Sequence, residues 1–467
     1  MTFDSHATAL EIAHAVRTRQ LRARLIAESA LERIQRTHTQ LNAFTEVTAQ
    51  RALAEADAVD QAVAVGRDPG PLAGVPYAVK NLFDLAGVVT LAGSKINRDH
   101  PPACQDATCV ARLRAAGAVC VGAVNMGEYA YDFTTENGHV GATHNPHDLT
   151  RSAGGSSGGS SAAVAAGLVP LALGTDTNGS IRVPSSFCGL WGLKPTYSRL
   201  SRAGGFLFVE SLDTIGPIGR SVADLAAAYD VMQGEDECDP VCTWRAPDLA
   251  SGTLDEGIDG LRIGVLDGYF SRGGLPQAHA AVETVASALG VKRRIELPKP
   301  ELARAAAFII TATEGGALHL GRLRNRAVDF DSQTRDRFLA GALTPAAWYL
   351  QAQKFRGWWR AQMAEVFRDV DVLIAPATPL PAPLLGQETM SFNGKEIPLR
   401  PNIGIFTQPI TLIGLPVVAA PLQGAEGGLP IAVQLIAAPW REAALLRVAR
   451  LLEKSGACRA PVAQLAA

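Results

Sequence analysis

Residues Thr150 to Pro195 gather hydroxyls and glycines more densely than a structural segment requires. Gly154, Gly155, Gly158 and Gly159 leave backbone amides uncovered around Ser156 and Ser157, and Gly179 does the same beside Ser180. A carbonyl group entering such a loop would meet a nucleophilic oxygen and a cluster of N–H donors able to hold a developing oxyanion. A serine still needs a base. Lys80, following the apolar run of GVPYAVKNLFD, is the candidate, because burial would push its pKa toward neutrality and free the amine lone pair.

Other readings of the same loop are weaker. A phosphate cradle would end in Gly-Lys-Ser/Thr, whereas GGSSGGSSAAV has no lysine there. A free Gly/Ser linker would not run at once into an apolar helix and strand pattern. A Ser-His-Asp arrangement using His139, His144 or His147 stays open, although no G-x-S-x-G elbow surrounds any serine. Cys104 with Cys109 and Cys238 with Cys242 lack a companion CxxC or HxxxH, so no metal is expected. Asp176 and Arg182 flank the segment around Ser180 and read either as a brace for it or as a surface ion pair of little consequence.

These residues carry a family resemblance. GGSSGG at 154–159, TDTNGSIRVP at 175–184, and the placing of Lys80 76 residues before Ser156 and of Ser180 24 after it resemble the pattern of the amidase-signature hydrolases. Similar context runs from GPLAGVPYAVK through NMGEYA, DVLIAPATP and GLPIAVQLI, so it covers nearly the whole chain. The resemblance implies Lys80 as base, Ser156 as bridging serine and Ser180 as nucleophile. It also implies a cis peptide from Gly155 to Ser156 and an oxyanion hole built by the backbone N–H groups of Thr177, Asn178, Gly179 and Ser180. One departure is Asn178, where the family usually has the first of two glycines; Asn tolerates left-handed backbone geometry better than most residues, and its side chain is also a candidate substrate contact.

The glutamine-hydrolysing chains of the tRNA-dependent amidotransferases share this signature and grip a glutamine carboxylate with an arginine and its ammonium with an acid. By that likeness the arginine corresponds to Arg356 in AQKFRGWW, while the acid's place, three residues before Thr407, holds Gly404. An anionic substrate without an α-ammonium group fits both. Among these amidases the chain is most similar to those that hydrolyse a carboxylated biuret in s-triazine degradation, releasing ammonia. That likeness makes Arg356 the leading carboxylate partner, with Arg326 and Arg322 in reserve and Tyr131 as a further substrate contact, and it implies no cofactor. It also implies a hetero-oligomer with a small helical companion subunit, covering an apolar face of the helical N-terminal region. The competing expectations are the glutaminase component of a tRNA-dependent amidotransferase and a non-catalytic protein with the same fold.

The elements that must position these groups belong to a large α/β chain. At 467 residues with 47% hydrophobic content there is material for a substantial core, and a net charge of −2 with no basic block interleaved with aromatics argues against nucleic-acid binding. RTRQLRAR at 17–24 reads as a solvated face. Thr8 and Glu11 make a capping box for a first helix, and a second helical segment runs to about Thr37. CVGAV at 120–124, LALG at 171–174, LRIGVL at 261–266 and DVLIAP at 371–376 read as buried strands, and the resemblance places them in a mixed central sheet covered by helices on both sides. We expect a single domain over 1–467, with a helical region at 1–60, the signature core at 61–233 and a variable substrate-side region at 234–467. GEDECDPVCT marks the break between the halves, and PATPLPAPLLG at 376–386 reads as a Pro-rich surface connector. The start shows no basic head before an apolar stretch, no apolar run is long enough to span a bilayer, and seven scattered cysteines suit a reducing compartment, so a cytoplasmic protein is expected.

Overall fold

The computed structural model describes residues 5–392, 394–424 and 428–465. The main sheet has eleven strands: β1 (Phe44–Val47), β2 (Pro76–Lys80), β3 (Val119–Val124), β4 (Leu171–Asp176), β5 (Trp191–Lys194), β6 (Thr214–Gly219), β7 (Ile263–Leu266), β8 (Arg294–Ile295), β9 (Val372–Pro376), β10 (Val417–Leu422) and β11 (Ile431–Ala437). Their order across the sheet is β1-β3-β2-β4-β6-β5-β10-β11-β9-β7-β8. Parallel pairs β3/β2/β4 and β9/β7/β8 flank an antiparallel centre, giving an α/β fold with a mixed sheet. The inner strands β2, β3, β4, β6, β9, β10 and β11 are buried at every position. Covered on both faces, they read in the sequence as continuous apolar runs rather than alternating ones. All four expected strands are present.

The N-terminal helix α1 (Ala9–Arg17) starts at the expected capping box, Thr8 accepting from the Glu11 N–H and Glu11 accepting from the Thr8 N–H. Helix α2 (Ala23–Leu41) is longer than expected and ends at Asn42, whose left-handed φ of 48° stops it. Ile12, Val16, Ile26 and Ile34 of the two helices are buried, while Leu25 is exposed. The RTRQLRAR segment spans the turn between the two helices, with Arg24 paired to Glu28 and Asp57.

One expectation changes in part. The 376–386 connector is not wholly a surface segment: Pro376 to Leu380 is buried, Ala377 packing with Ala419 and Ala432 and donating its N–H to the Ala432 carbonyl, and exposure returns at Leu384 and Gly386. The 234–243 loop is anchored to the first half, Asp236 accepting from Thr108 and Ser201 and Asp239 pairing with Arg202.

Candidate active site

The pairing of β2 with β4 builds the centre. These neighbours run parallel, Tyr77 opposite Leu171 and Val79 opposite Leu173, so Lys80 and Thr175 emerge together at their carboxyl ends. That edge is where open α/β sheets place ligands. Lys80 is fully buried, with Nζ 2.7 Å from Ser156 Oγ and 2.8 Å from Thr175 Oγ1. Burial pushes its pKa down to about 7, against the opposing pull of Asp213, Asp132 and Asp176. The second buried lysine, Lys194, is likewise lowered to about 7 by burial, but it donates to the carbonyls of Pro195 and Leu415 and touches no hydroxyl. Only Lys80 combines a depressed pKa with a serine at hydrogen-bond distance.

Ser156 sits in the loop before helix α3 (Gly158–Ala165), which leads back into β4. The Gly155–Ser156 peptide is cis. Gly155 has no room for a side chain, since a Cβ there would fall 2.7 Å from Asp132 Oδ1 and from the Thr134 nitrogen. The loop after β4 carries Ser180 and runs into helix α4 (Arg182–Cys188). Ser180 is 2% exposed and lines a narrow pocket of about 20 Å³ with Thr177, Asn178, Tyr131, Asp132 and Arg337. The backbone N–H groups of Thr177, Asn178, Gly179 and Ser180 donate to no protein acceptor among the described residues, which leaves them free for an oxyanion. Gly179 takes a φ of +140° and presses on Thr407, where a Cβ would come within 2.5 Å of Oγ1. Asn178 needs no left-handed backbone; Gly179 alone in this loop carries the positive φ. The Asn178 amide nitrogen donates to Thr311 Oγ1 at 2.7 Å, while Oδ1 is buried without a partner.

Asp176 and Arg182 form a fully buried bidentate pair, not a surface one. Tyr131 lines the pocket with its ring under the Arg337 guanidinium, 3.6 Å from the centroid. The other nominated substrate contacts lie elsewhere. Arg356 donates to the Ser211 carbonyl, Arg326 pairs with Asp99 and Asp329, and Arg322 lies over the rings of Tyr129 and Phe206; none lines the pocket that holds Ser180. The three histidines offered as alternative bases are engaged away from both serines, His139 with Glu128, His144 with the Leu149 carbonyl and His147 with that of Cys188. Gly404 packs under Phe133, a Cβ there falling 2.6 Å from Phe133 Cζ, so that position leaves no space for an acidic side chain.

Three residues of the site escaped sequence reasoning. Thr175 holds Lys80, Arg337 lies in an otherwise ordinary helix, and Asp132 occupies the part-exposed pocket wall with Oδ1 shut off from water. Desolvation pushes the Asp132 pKa up to about 6, with Arg400, Lys80 and Arg337 pulling the other way. Asp132 follows the NMGEYA segment closely enough to have been singled out; Arg337 offered no local signal.

A buried lysine hydrogen-bonded to a serine beside a second serine-bearing loop, on a mixed sheet, is an arrangement that suits a hydrolase of the amidase class. The chain belongs to the amidase family, whose model matches residues 26–446. It is similar to AtzE, a 1-carboxybiuret hydrolase subunit of Pseudomonas sp. (strain ADP), 54% identical over 451 residues, which cover 96% of this chain and 99% of the relative. It is also similar to the amidase-family chain of the glutamyl-tRNA(Gln) amidotransferase of Chromohalobacter salexigens, 39% identical over 96% of each chain. A solved structure described as an unexpected vestigial protein complex revealing the evolutionary origins of an s-triazine catabolic enzyme superposes with a TM-score of 0.95. It is 53% identical and covers 99% of this chain and 100% of its own. Among the described residues no helix is long and apolar enough to cross a membrane.

Proposed function

We propose that this chain hydrolyses the terminal amide of a small carboxylated ureide, carboxybiuret, with release of ammonia. The observation that carries the reading is Lys80 Nζ at 2.7 Å from the Ser156 hydroxyl in a site that favours the neutral amine. Neutral Lys80 takes the Ser156 proton as Ser156 takes that of Ser180, and Ser180 attacks the carbonyl carbon without becoming a free alkoxide. The N–H groups of residues 177–180 hold the oxyanion, an effect of about 3–4 kcal/mol for an essential donor. The proton returns through Ser156 to the leaving nitrogen, the C–N bond breaks and ammonia departs. Water then repeats the cycle on the acyl-Ser180 ester. Substrate identity rests on the likeness to the carboxybiuret hydrolase chain, and the crowded Gly404 tells against glutamine, whose ammonium would need an acid there.

Ammonia release measured side by side on carboxybiuret, biuret and glutamine tests this. Carboxybiuret is expected to be preferred, and Ser180→Ala to abolish turnover while melting with the parent. Preference for glutamine, or a tenth of the parental kcat in Ser180→Ala, overturns it.

The reading includes a small helical companion subunit in a hetero-oligomer, supported by the structurally similar relative having been solved as a protein complex. The N-terminal helices bury most of their apolar face on their own chain, leaving a groove of about 560 Å³ lined by Leu31, Ile34 and Val47. Larger exposed apolar side chains, Leu343, Trp348 and Leu350, lie in the second half. The single chain is expected to be poorly soluble or weakly active; light scattering showing a monodisperse, fully active enzyme without a companion would refute this.

A further inference from the structure

We infer that Arg337 is the specificity-determining residue of this site, taking the substrate's carboxylate in its guanidinium fork. The inference rests on the functional reading above and adds the group that distinguishes a carboxylated ureide from a neutral one. An outer cavity of about 610 Å³ meets the narrow Ser180 pocket at four shared residues, Tyr131, Asp132, Phe308 and Arg337. Among the described residues Arg337 is the only cation lining the inner pocket. The outer cavity adds Arg400, which is paired with Glu136. Arg304, close by, is committed to Gln408, Asn402 and the Pro401 carbonyl.

Arg337 is held without a direct ion pair, its nearest acidic influence being Asp132, whose carboxyl burial pushes toward the neutral form. One Nη donates to the Tyr131 carbonyl and the guanidinium stacks on the Tyr131 ring, yet no carboxylate lies at ion-pair distance among the described residues. Stacking fixes the plane of the fork and leaves donors at its edge, the geometry that binds a carboxylate bidentately. The helix carrying it, Ser332–Ala342, is clamped at both ends. Glu128 accepts from the Asp331 N–H and the Thr334 hydroxyl at its start, and Gly341 lies against Ala312 near its end, so close that a Cβ would fall 1.9 Å from the Ala312 oxygen.

The substrate's shape fits this placement. In carboxybiuret the carboxylate and the amide that yields ammonia lie at opposite ends, their carbons separated by four bonds and about 5 Å. One pocket must therefore present a nucleophile at one end and a cation at the other, with acceptors for the N–H groups between. Asn178 Oδ1, buried and unpartnered beside Ser180, is such an acceptor. The other charged side chains lining the outer cavity are Glu128, Asp132, Glu136, Asp331 and Glu388, which disfavour an anion, and Arg400, already paired with Glu136, which leaves Arg337 as the cation best placed for the carboxylate. The inner pocket of about 20 Å³ holds no more than a water, so substrate binding must widen it where it opens to the outer cavity.

The test compares the parent, Arg337→Gln and Arg337→Lys on carboxybiuret and on biuret, taking biuret's Ki as competitor if it is not turned over. Arg337→Gln is expected to lose at least 100-fold in kcat/KM on carboxybiuret, mostly through KM, with less than threefold change on biuret. Arg337→Lys, which keeps the charge but not the fork, should lose about tenfold and confirms that a folded variant is being read. Parental discrimination in Arg337→Gln, or an equal loss on both substrates, overturns the inference while leaving the functional reading intact. A parent enzyme inactive on carboxybiuret overturns that reading, and the inference with it.

Discussion

Arg182 grips Asp176 through two parallel hydrogen bonds, Nε to Oδ2 at 2.9 Å and Nη2 to Oδ1 at 2.8 Å, with both side chains wholly buried. The pair closes the five-residue loop that carries Ser180, tying the end of β4 to the start of α4. The guanidinium also donates to the Thr407 carbonyl, Gln434 Oε1 and Thr411 Oγ1, so the loop is fastened to the last third of the chain.

Breaking that pair from one side should therefore be costly. Arg182→Met strands a buried carboxylate and is expected to lower unfolding stability by about 3–5 kcal/mol in urea melts at neutral pH. Burial raises the Asp176 pKa, but the Arg182 charge and hydrogen bonds outweigh it and hold the carboxyl below its ordinary value. A lowered folded pKa gives stability that is present above the unfolded value and lost as pH falls through the folded one. The gap between parent and variant should accordingly shrink below about pH 4. A gap under 1 kcal/mol at pH 7 would remove the pair from the account.

Activity should follow the neutral fraction of Lys80. With its pKa lowered to about 7, kcat/KM is expected to rise tenfold per pH unit below that value and to level off above it. Lys80→Arg should be nearly inactive across the range, because guanidinium keeps its proton. A pH profile flat between 5 and 7, or robust turnover in Lys80→Arg, would point to a different base.

The same shift makes Lys80 a stability liability. Above 10.5 the lysine is neutral folded or unfolded; between 10.5 and about 7 the unfolded chain holds a proton that the folded site rejects, so this group's penalty grows as pH falls. Lys80→Met removes that penalty, though it strands the hydroxyls of Ser156 and Thr175. Its stability relative to the parent should decline by about 1.4 kcal/mol per unit as pH is raised from 8 to 10. Parallel stability curves for the two proteins over that interval would show that the lysine stays charged when folded.

The candidate lysine and serine loops were legible in the sequence because their signals are local. Lys80, Ser156 and Ser180 stand in short segments rich in glycine and hydroxyls, and the strands that hold them are continuous apolar runs whose burial on both faces leaves a plain signature. The cation lining the Ser180 pocket was not legible in this way. Arg356 and Arg337 both sit in charged helices, Ala346–Asp369 and Ser332–Ala342, and helical periodicity treats every arginine on such a helix alike. Packing decides between them: Gly341 brings its helix against Ala312 and sets Arg337 over Tyr131, while Arg356 turns to the Ser211 carbonyl. The first half of the 376–386 connector was misread for a related reason, since prolines mark a surface loop and a buried irregular segment alike. Sequence by itself determined which groups could form and activate a nucleophile, through spacing and backbone freedom. Tertiary structure alone decided which charge shares a pocket with Ser180, because such contacts join residues more than a hundred positions apart, where no local pattern constrains them.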